Sequence, residues 1–220
     1  MMKSLFALLT GAVLLSACGS GGGNSALSVR IPDTFRPEAL LRDSNQLSAI
    51  LTKGMVAEIA GIDSGKIGMR LENDISRGGP YTLQYSWPTG KTHTVGGKHA
   101  IATYHSLGIG FVSGMDEAAF SRRYGSAAGV QEAVDALASA PYFNKEAALA
   151  EGHYLAAYAQ RRKPQKLDGV GTLAYWETPV NALHVLANGA AFTITTNFGD
   201  DEKEAREKAI ALAGAVVKAY

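Results

Sequence analysis

Three evenly spaced histidines, His93, His99 and His105, are the first candidate functional residues of this chain. Neutral imidazoles are common metal ligands, so such a series raises the question of a metal site. If Gly96-Gly97 forms a two-residue hairpin turn, Thr94 faces His99, and His93 lies on the opposite side of the pleat. His105 then lies far along the strand. We therefore expect solvent-exposed histidines and no cofactor, with a metal site at these three as the alternative.

Cys18 is the other residue with reactive chemistry, and it is the only cysteine in the chain. It can therefore form no internal disulfide and no metal site made of cysteines. A positively charged Lys3 and an apolar run over residues 5–15, broken only by Thr10 and Gly11, precede it. This run is shorter than the roughly 20 residues of a membrane-spanning helix, so it predicts a cleaved signal peptide.

The segment Leu15-Ser16-Ala17-Cys18 resembles the lipobox of bacterial lipoproteins. In that family the signal peptide is cut before the cysteine, whose sulfur is lipidated and whose new amino group receives a palmitate-type chain. The resemblance implies a signal peptide over residues 1–17 and a membrane anchor at Cys18. Gly19 stands where an Asp would resemble an inner-membrane retention signal, which implies the outer membrane, facing the periplasm or the cell surface. An ordinary secretory signal is the alternative.

The residues that follow Cys18 predict a tether and a linker. Gly19–Ser25 consists almost entirely of Gly and Ser, which form a flexible coil with a reach of roughly 15 Å. Two prolines favour an extended chain over residues 27–42. We therefore expect the lipidated cysteine, tether and linker over residues 18–44, and a single α+β globular domain over residues 45–220.

The composition suits one ordinary globular domain, with 46% hydrophobic and 19% charged residues. The chain has 21 Lys and Arg against 20 Asp and Glu. Because Lys3 leaves with the signal peptide, the mature chain carries equal numbers of basic and acidic residues. A nucleic-acid partner needs a basic surface, so this balance argues against one.

The hydrophobic pattern predicts both strands and helices. Alternating apolar residues predict strands, at residues 67–71, 81–87, 101–112, 173–176, 182–186 and 192–196. Apolar stripes at helical spacing predict helices, at residues 47–60 (one short helix, or two short helical turns split at Gly54), 115–124, 130–138, 144–163 and 201–220. An Asn188-Gly189 pair predicts a tight hairpin between the last two strands. The predicted fold is α+β, with an antiparallel sheet or sheets packed against helices, and two related α/β halves are the alternative.

Two groups of short segments carry a second resemblance. Leu47–Thr52 with Val56–Gly61, and Asp168–Gly171 before Ala174–Trp176, resemble small bacterial lipoprotein domains of unknown function. In those domains an acid often follows the second glycine, and a cysteine pair can join the halves. Here Thr172 takes the place of the acid, and the cysteine pair is absent. The resemblance implies binding or sensing in the cell envelope, and not catalysis.

Aromatic residues on the predicted strands have two interpretations. They can line a groove for a ligand, because aromatic side chains dominate apolar binding sites. They can also fill the core between a sheet and its helices, which is the interpretation we favour. The candidate ligand-contacting aromatics are Tyr85, Trp87, Tyr104 and Trp176.

The motifs of common enzyme classes are absent from the sequence. Ser113 lies one residue out of step with a Gly-x-Ser-x-Gly nucleophile turn, and neither a phosphate-binding loop nor a His-Glu-x-x-His zinc helix occurs. We therefore expect a non-enzymatic, lipid-anchored envelope protein that binds a protein, a lipid or a cell-wall component. The alternatives are an envelope hydrolase with an unrecognised site, and a carrier of a lipid or small ligand.

Overall fold

A computed structural model describes residues 28–72, 82–96, 99–126, 157, 163–199 and 201–220. Its described strands form one seven-stranded antiparallel sheet in the order β1-β2-β3-β7-β6-β5-β4. The strands are β1 Gly68–Glu72, β2 Thr82–Val95, β3 His99–Gly114, β4 Pro164–Lys166, β5 Leu173–Glu177, β6 Ala182–Ala187 and β7 Ala190–Asn197. The predicted α+β class is confirmed. Two meanders, β1 to β3 and β4 to β7, meet where β3 pairs with β7, and a common origin of two halves stays a prediction.

The described helices are mostly short. They are α1 Pro37–Arg42, α2 Leu47–Ile50, α3 Lys53–Ala60, α4 Glu117–Tyr124 and α5 Glu202–Ala219, with 3-10 turns at Asp43–Asn45, Ser64–Lys66 and Thr178–Val180. Polar side chains begin several of them by accepting a backbone N–H three residues on, as Asp116 does from Ala119 and Asp201 from Glu204. None of the described helices combines the length and apolar character that a membrane crossing needs.

The two faces of the sheet are covered differently. On the first, which we call the core face, α5 packs on β6 and β7, while α1 and α2 contact β3 and β2. The buried sheet residues of this face include Leu83, Leu107, Ile109, Trp176, Leu183, Val185, Phe192 and Ile194. On the second face, Phe120 and Tyr124 of α4 pack against Leu186 and Ala191.

The chain from residue 28 belongs to the folded domain, so the linker predicted up to residue 44 is wrong for its described part. Val29 forms a parallel bridge with Val170, and Leu40 of α1 is fully buried. Pro37, one of the two prolines that favour an extended chain, begins α1 instead. Proline suits the first helical turn because its missing N–H has no helical partner there.

The predicted helix over residues 47–60 is divided, but not at Gly54. The break lies at Leu51 and Thr52, because the Thr52 side chain accepts a hydrogen bond from Met55 N and so begins α3. Gly61 ends this helix with φ of 71°, as predicted.

The C-terminal helix matches its predicted span and buried face. Asp201 caps α5, and the predicted apolar stripe is buried at Ala205, Ala209, Leu212, Ala213 and Val216. Several other predictions lie outside the described residues. They concern Cys18, the tether over residues 19–25, Tyr81, the helix over residues 130–138, and nearly all of the helix over residues 144–163.

Candidate functional site

A buried polar cluster lies on the α4 side of the sheet. His184 on β6 contacts Thr193 on β7, with 2.9 Å between Nδ1 and Oγ1. Its other ring nitrogen, Nε2, lies 3.2 Å from Oε2 of Glu177 at the end of β5. All three residues are buried, with exposed fractions of 7%, 2% and 2% for His184, Glu177 and Thr193.

Helix α4 closes over this cluster. The Tyr124 ring stacks on the His184 imidazole, with 4.1 Å between ring centroids and 17° between planes. The guanidinium carbon of Arg123 lies 5.5 Å from the Tyr124 ring centroid. Gly125 follows α4 at a close approach, because a Cβ there would come within 2.7 Å of the Tyr175 ring. The imidazole is therefore fixed at both nitrogens and covered on one ring face.

An acid, an imidazole and a hydroxyl in this order are the components of a nucleophilic triad. A nucleophile of that kind must reach a substrate, but the Thr193 hydroxyl is buried and already bonded to the imidazole. In this geometry the cluster supplies hydrogen-bond partners for its buried polar atoms and links three strands to α4. It fits a structural role better than acyl transfer.

Sequence reasoning missed this cluster, although one signal for it was present. The Asn188-Gly189 turn is a two-residue hairpin turn with both residues at positive φ. Counting outward from such a turn pairs His184 with Thr193, which is the observed register. Glu177 could not be found in this way, because its approach to His184 depends on the pairing of β5 with β6.

The three histidines singled out by their spacing lie on β2 and β3. Val95, and not Thr94, pairs with His99, so the connecting loop has three residues and the predicted register is wrong by one. His93 pairs with Ile101, which places His93 and His99 on the same side of the ribbon, contrary to expectation. Both are exposed. Within the described part of the chain, no group of three potential ligand side chains is arranged to hold a metal ion.

His105 has a different environment from the other two histidines. Its ring stacks on Phe198, with 4.9 Å between centroids, and lies beside Trp87. Its Nδ1 atom is buried and has no hydrogen-bond partner among the described residues. His105 therefore marks the point where the packed sheet ends and the exposed part of β3 begins.

Three of the four candidate ligand-contacting aromatics belong to the core. Tyr85, Trp87 and Trp176 are buried on the core face, as the favoured interpretation predicted. Tyr85 Oη donates to the Leu51 carbonyl, and burial raises the pKa of the Tyr85 hydroxyl. Trp176 Nε1 donates to Glu202 Oε1 at 3.1 Å. Tyr104 differs, because 52% of it is exposed.

Tyr104 lies on a two-stranded extension of the sheet, which we call the arm and define as residues 88–96 and 99–105. Towards the hairpin loop, the last residue of β2 that pairs with β1 is Ser86, and the last residue of β3 that pairs with β7 is Ser106. Beyond these points the two strands pair with each other. At about 3.3 Å per residue, the arm extends roughly 25 Å past the sheet.

The arm is exposed, and it carries no acidic residue. Every described side chain in it is exposed except those of Thr89, Thr103 and His105, which are half-buried. The sequence contains no Asp or Glu from Ile75 to Met115, while Lys91 and Lys98 supply positive charge.

The arm also contains features that oppose aggregation through its open edges. Pro88, the left-handed Gly90 and the register shift between Pro88 and Thr92 interrupt regular pairing, and Lys91 adds charge. The Thr89 and Thr103 hydroxyls bond across the two strands. An isolated two-stranded hairpin is only marginally stable in water, so the arm contributes little to folding. Its exposed faces make it the best candidate interaction site in the described fold.

Comparisons with known proteins assign no family to this chain. No protein-family model, no curated protein and no solved structure matches the chain significantly.

Proposed function

We propose that this protein is a lipid-anchored component of the bacterial cell envelope that is held by Cys18 and acts by binding, without catalysis. The binding role rests on the structure of the arm. The arm is a long, exposed and acid-free projection that the packed core does not need. The lipobox-like segment before Cys18 supports the anchor.

The placement of the two ends of the domain fits this function. Close to the first described residue, Val29 pairs with Val170, just before β5. This pair lies near the end of the sheet that contains Gly114. The arm leaves the opposite end of β3, which has 16 residues and is therefore roughly 50 Å long. A tether at one end and a binding arm at the other place the binding element far from the point of attachment.

The two alternatives have weaker support in the described residues. A hydrolase would need a reachable nucleophile, but the acid, imidazole and hydroxyl that lie together are buried. A carrier built on the aromatic strand residues would need them to line a cavity, but Tyr85, Trp87 and Trp176 pack in the core.

The anchor is tested by replacing Cys18 with Ser in the full chain. The wild-type protein should incorporate labelled palmitate and remain with membranes after a high-salt wash, whereas Cys18→Ser should do neither. A Cys18→Ser variant that still resists the wash would contradict the proposal. Labelling that persists in this variant would contradict it as well, because Cys18 is the only cysteine.

The arm is tested by a variant in which residues 88–104 are replaced by Asn-Gly, a tight turn between the paired residues Trp87 and His105. The melting temperature of the shortened protein should stay within a few degrees of the wild-type value. The shortened protein should keep its anchor but no longer bind an envelope component. A large loss of stability would show that the arm is part of the fold rather than a binding element.

A further inference from the structure

One side of the arm carries a consistent set of polar and apolar groups. His93 and Ile101 are directly paired, as are Val95 and His99, so His93, His99 and Ile101 share a side. Lys91 precedes His93 by two residues, within the register shift between Pro88 and Thr92, and supplies positive charge next to this side. Tyr104 alternates onto the opposite side, because it follows Ile101 by three residues along β3.

We infer that the side of the arm formed by His93, His99 and Ile101, with Lys91 next to it, docks on an anionic phospholipid surface; this rests on the proposed lipid anchor at Cys18. The ammonium of Lys91 and the N–H groups of the two imidazoles donate to phosphate oxygens. Ile101, which is 48% exposed, places apolar surface at the headgroup boundary.

Charge complementarity favours an anionic surface over a second copy of this chain. No acidic residue occurs between Ile75 and Met115, so two arms brought together would place like charges against each other. A phospholipid surface with negative headgroups has the complementary charge, and it attracts basic segments that lie within a Debye length.

The chain outside the described structure favours a lipid surface over a soluble protein. Ten residues, 18–27, connect the acylated cysteine to the folded domain. A chain of this length holds the domain within roughly 35 Å of its own bilayer even when fully extended. The bilayer is therefore present at high effective concentration, so weak contacts from a few side chains are sufficient.

The consequence of this docking is a fixed orientation. The tether leaves one end of the sheet and the arm leaves the other. With both ends held, the domain lies with its long axis along the membrane rather than standing away from it. The uncovered parts of the domain then face the aqueous compartment in one defined direction.

The test uses the mature lipidated protein with a single labelled cysteine. Because Cys18 is the only native cysteine and its sulfur is acylated, Ile101→Cys gives one site for an environment-sensitive fluorophore. Ile101 is exposed, lies on the same side as its pair His93, and its replacement leaves Lys91, His93 and His99 intact. Lys203→Cys, exposed on α5, is the matched control position.

The labelled proteins are inserted through their anchors into vesicles of phosphatidylcholine alone or of phosphatidylcholine mixed with phosphatidylglycerol. The probe at position 101 should show a blue shift only in the anionic vesicles, and added salt should reverse it. The Lys203 probe should give the same spectrum in both. Combining Lys91→Gln, His93→Gln and His99→Gln should remove most of the shift, whereas Tyr104→Ser should leave it unchanged.

A signal at position 101 that is the same in both vesicle types, or that survives the triple substitution, would overturn the inference. An equal loss in Tyr104→Ser would also overturn it, because the contact would then not be specific to one side. These results leave the proposed function intact if Cys18 still anchors the protein and the arm still binds another envelope component. Failure to insert through Cys18 would instead contradict the proposed function itself.

Discussion

Tyr220, the last residue of the chain, donates a hydrogen bond from its Oη to Asp43 Oδ2 over 2.9 Å. Its carbonyl oxygen also accepts from the backbone N–H of Arg36, just before α1. The C-terminus therefore holds the N-terminal segment against the domain. This contact explains why the part of the chain just before residue 45 is folded although its sequence favours a linker.

The Tyr220 contact predicts a specific alkaline loss of stability. Burial first, and then the hydrogen bond and charge of Asp43, raise the pKa of the Tyr220 hydroxyl from 10.0 to about 12. The folded state therefore retains a proton that the unfolded state releases, so this contribution is complete below pH 10 and is lost as the pH rises towards 12. Tyr220→Phe should be less stable than wild type by about 1 kcal/mol at neutral pH.

That difference should shrink between pH 10 and pH 12, because the Tyr220 hydroxyl, which only the wild type has, loses its proton in this range. Denaturant unfolding of both proteins across this range measures it. The raised pKa of Tyr85 affects both proteins equally. A stability difference that stays constant with pH would contradict the assigned role of the Tyr220 hydroxyl.

Docking of the C-terminal helix predicts unequal effects on its two faces. Leu212 is fully buried against the sheet, so Leu212→Ala should lower the free energy of unfolding by about 2–5 kcal/mol and the melting temperature by several degrees. Glu207 lies on the solvent side, where its pair with Lys203 is long at 4.0 Å. Glu207→Ala should change stability by less than about 0.5 kcal/mol. Equal thermal shifts in the two variants would rule out the docking of α5.

Two glycine substitutions should have opposite signs. A Cβ at Gly108 would come within 2.7 Å of both the Leu83 carbonyl and Thr195 Oγ1, so Gly108→Ala should cost about 1–3 kcal/mol. Gly54 lies in α3, where the nearest atom would be 3.8 Å away. Gly54→Ala should therefore stabilise the protein by about 0.5–1 kcal/mol. Thermal unfolding gives both values, and a tolerated Gly108→Ala would show that β2, β3 and β7 are packed less closely than described.

The buried cluster predicts a cost for removing one hydroxyl. Thr193→Val preserves the shape of the side chain but leaves His184 Nδ1 without its bond to Oγ1, which should cost about 1–3 kcal/mol. Thr94→Val, on the exposed arm, should change stability by less than about 0.5 kcal/mol. Denaturant unfolding compares the two. If Thr193→Val were neutral, the bond to His184 would not contribute to the fold.

Local signals predicted the C-terminal part of the fold well. The Asn188-Gly189 turn sets the register of β6 and β7, and the Asp201 cap and apolar stripe define α5. Each of these elements depends on residues near in sequence. The pairing of β3 with β7 joins distant segments, so no local pattern indicates it.

The wrong predictions arose where one local signal had two physical outcomes. A proline breaks a helix in its interior but suits its first turn, and in the structure Pro37 begins α1, whose Leu40 is buried. Gly96-Gly97 fits a two-residue turn, yet the observed loop has three residues and moves His99 opposite Val95. A shift of one residue changes which side chains share a side, so the histidine arrangement depended on that turn.

Photo-cross-linking in intact cells tests whether the arm is the binding element of an anchored protein. A photoreactive amino acid at Ile101 on the arm is compared with one at Lys203 on α5, both exposed. We expect specific cross-linked products, to a lipid or another envelope component, from position 101 and none from position 203. Equal products from both positions, or none from position 101, would show that the arm is not the binding element.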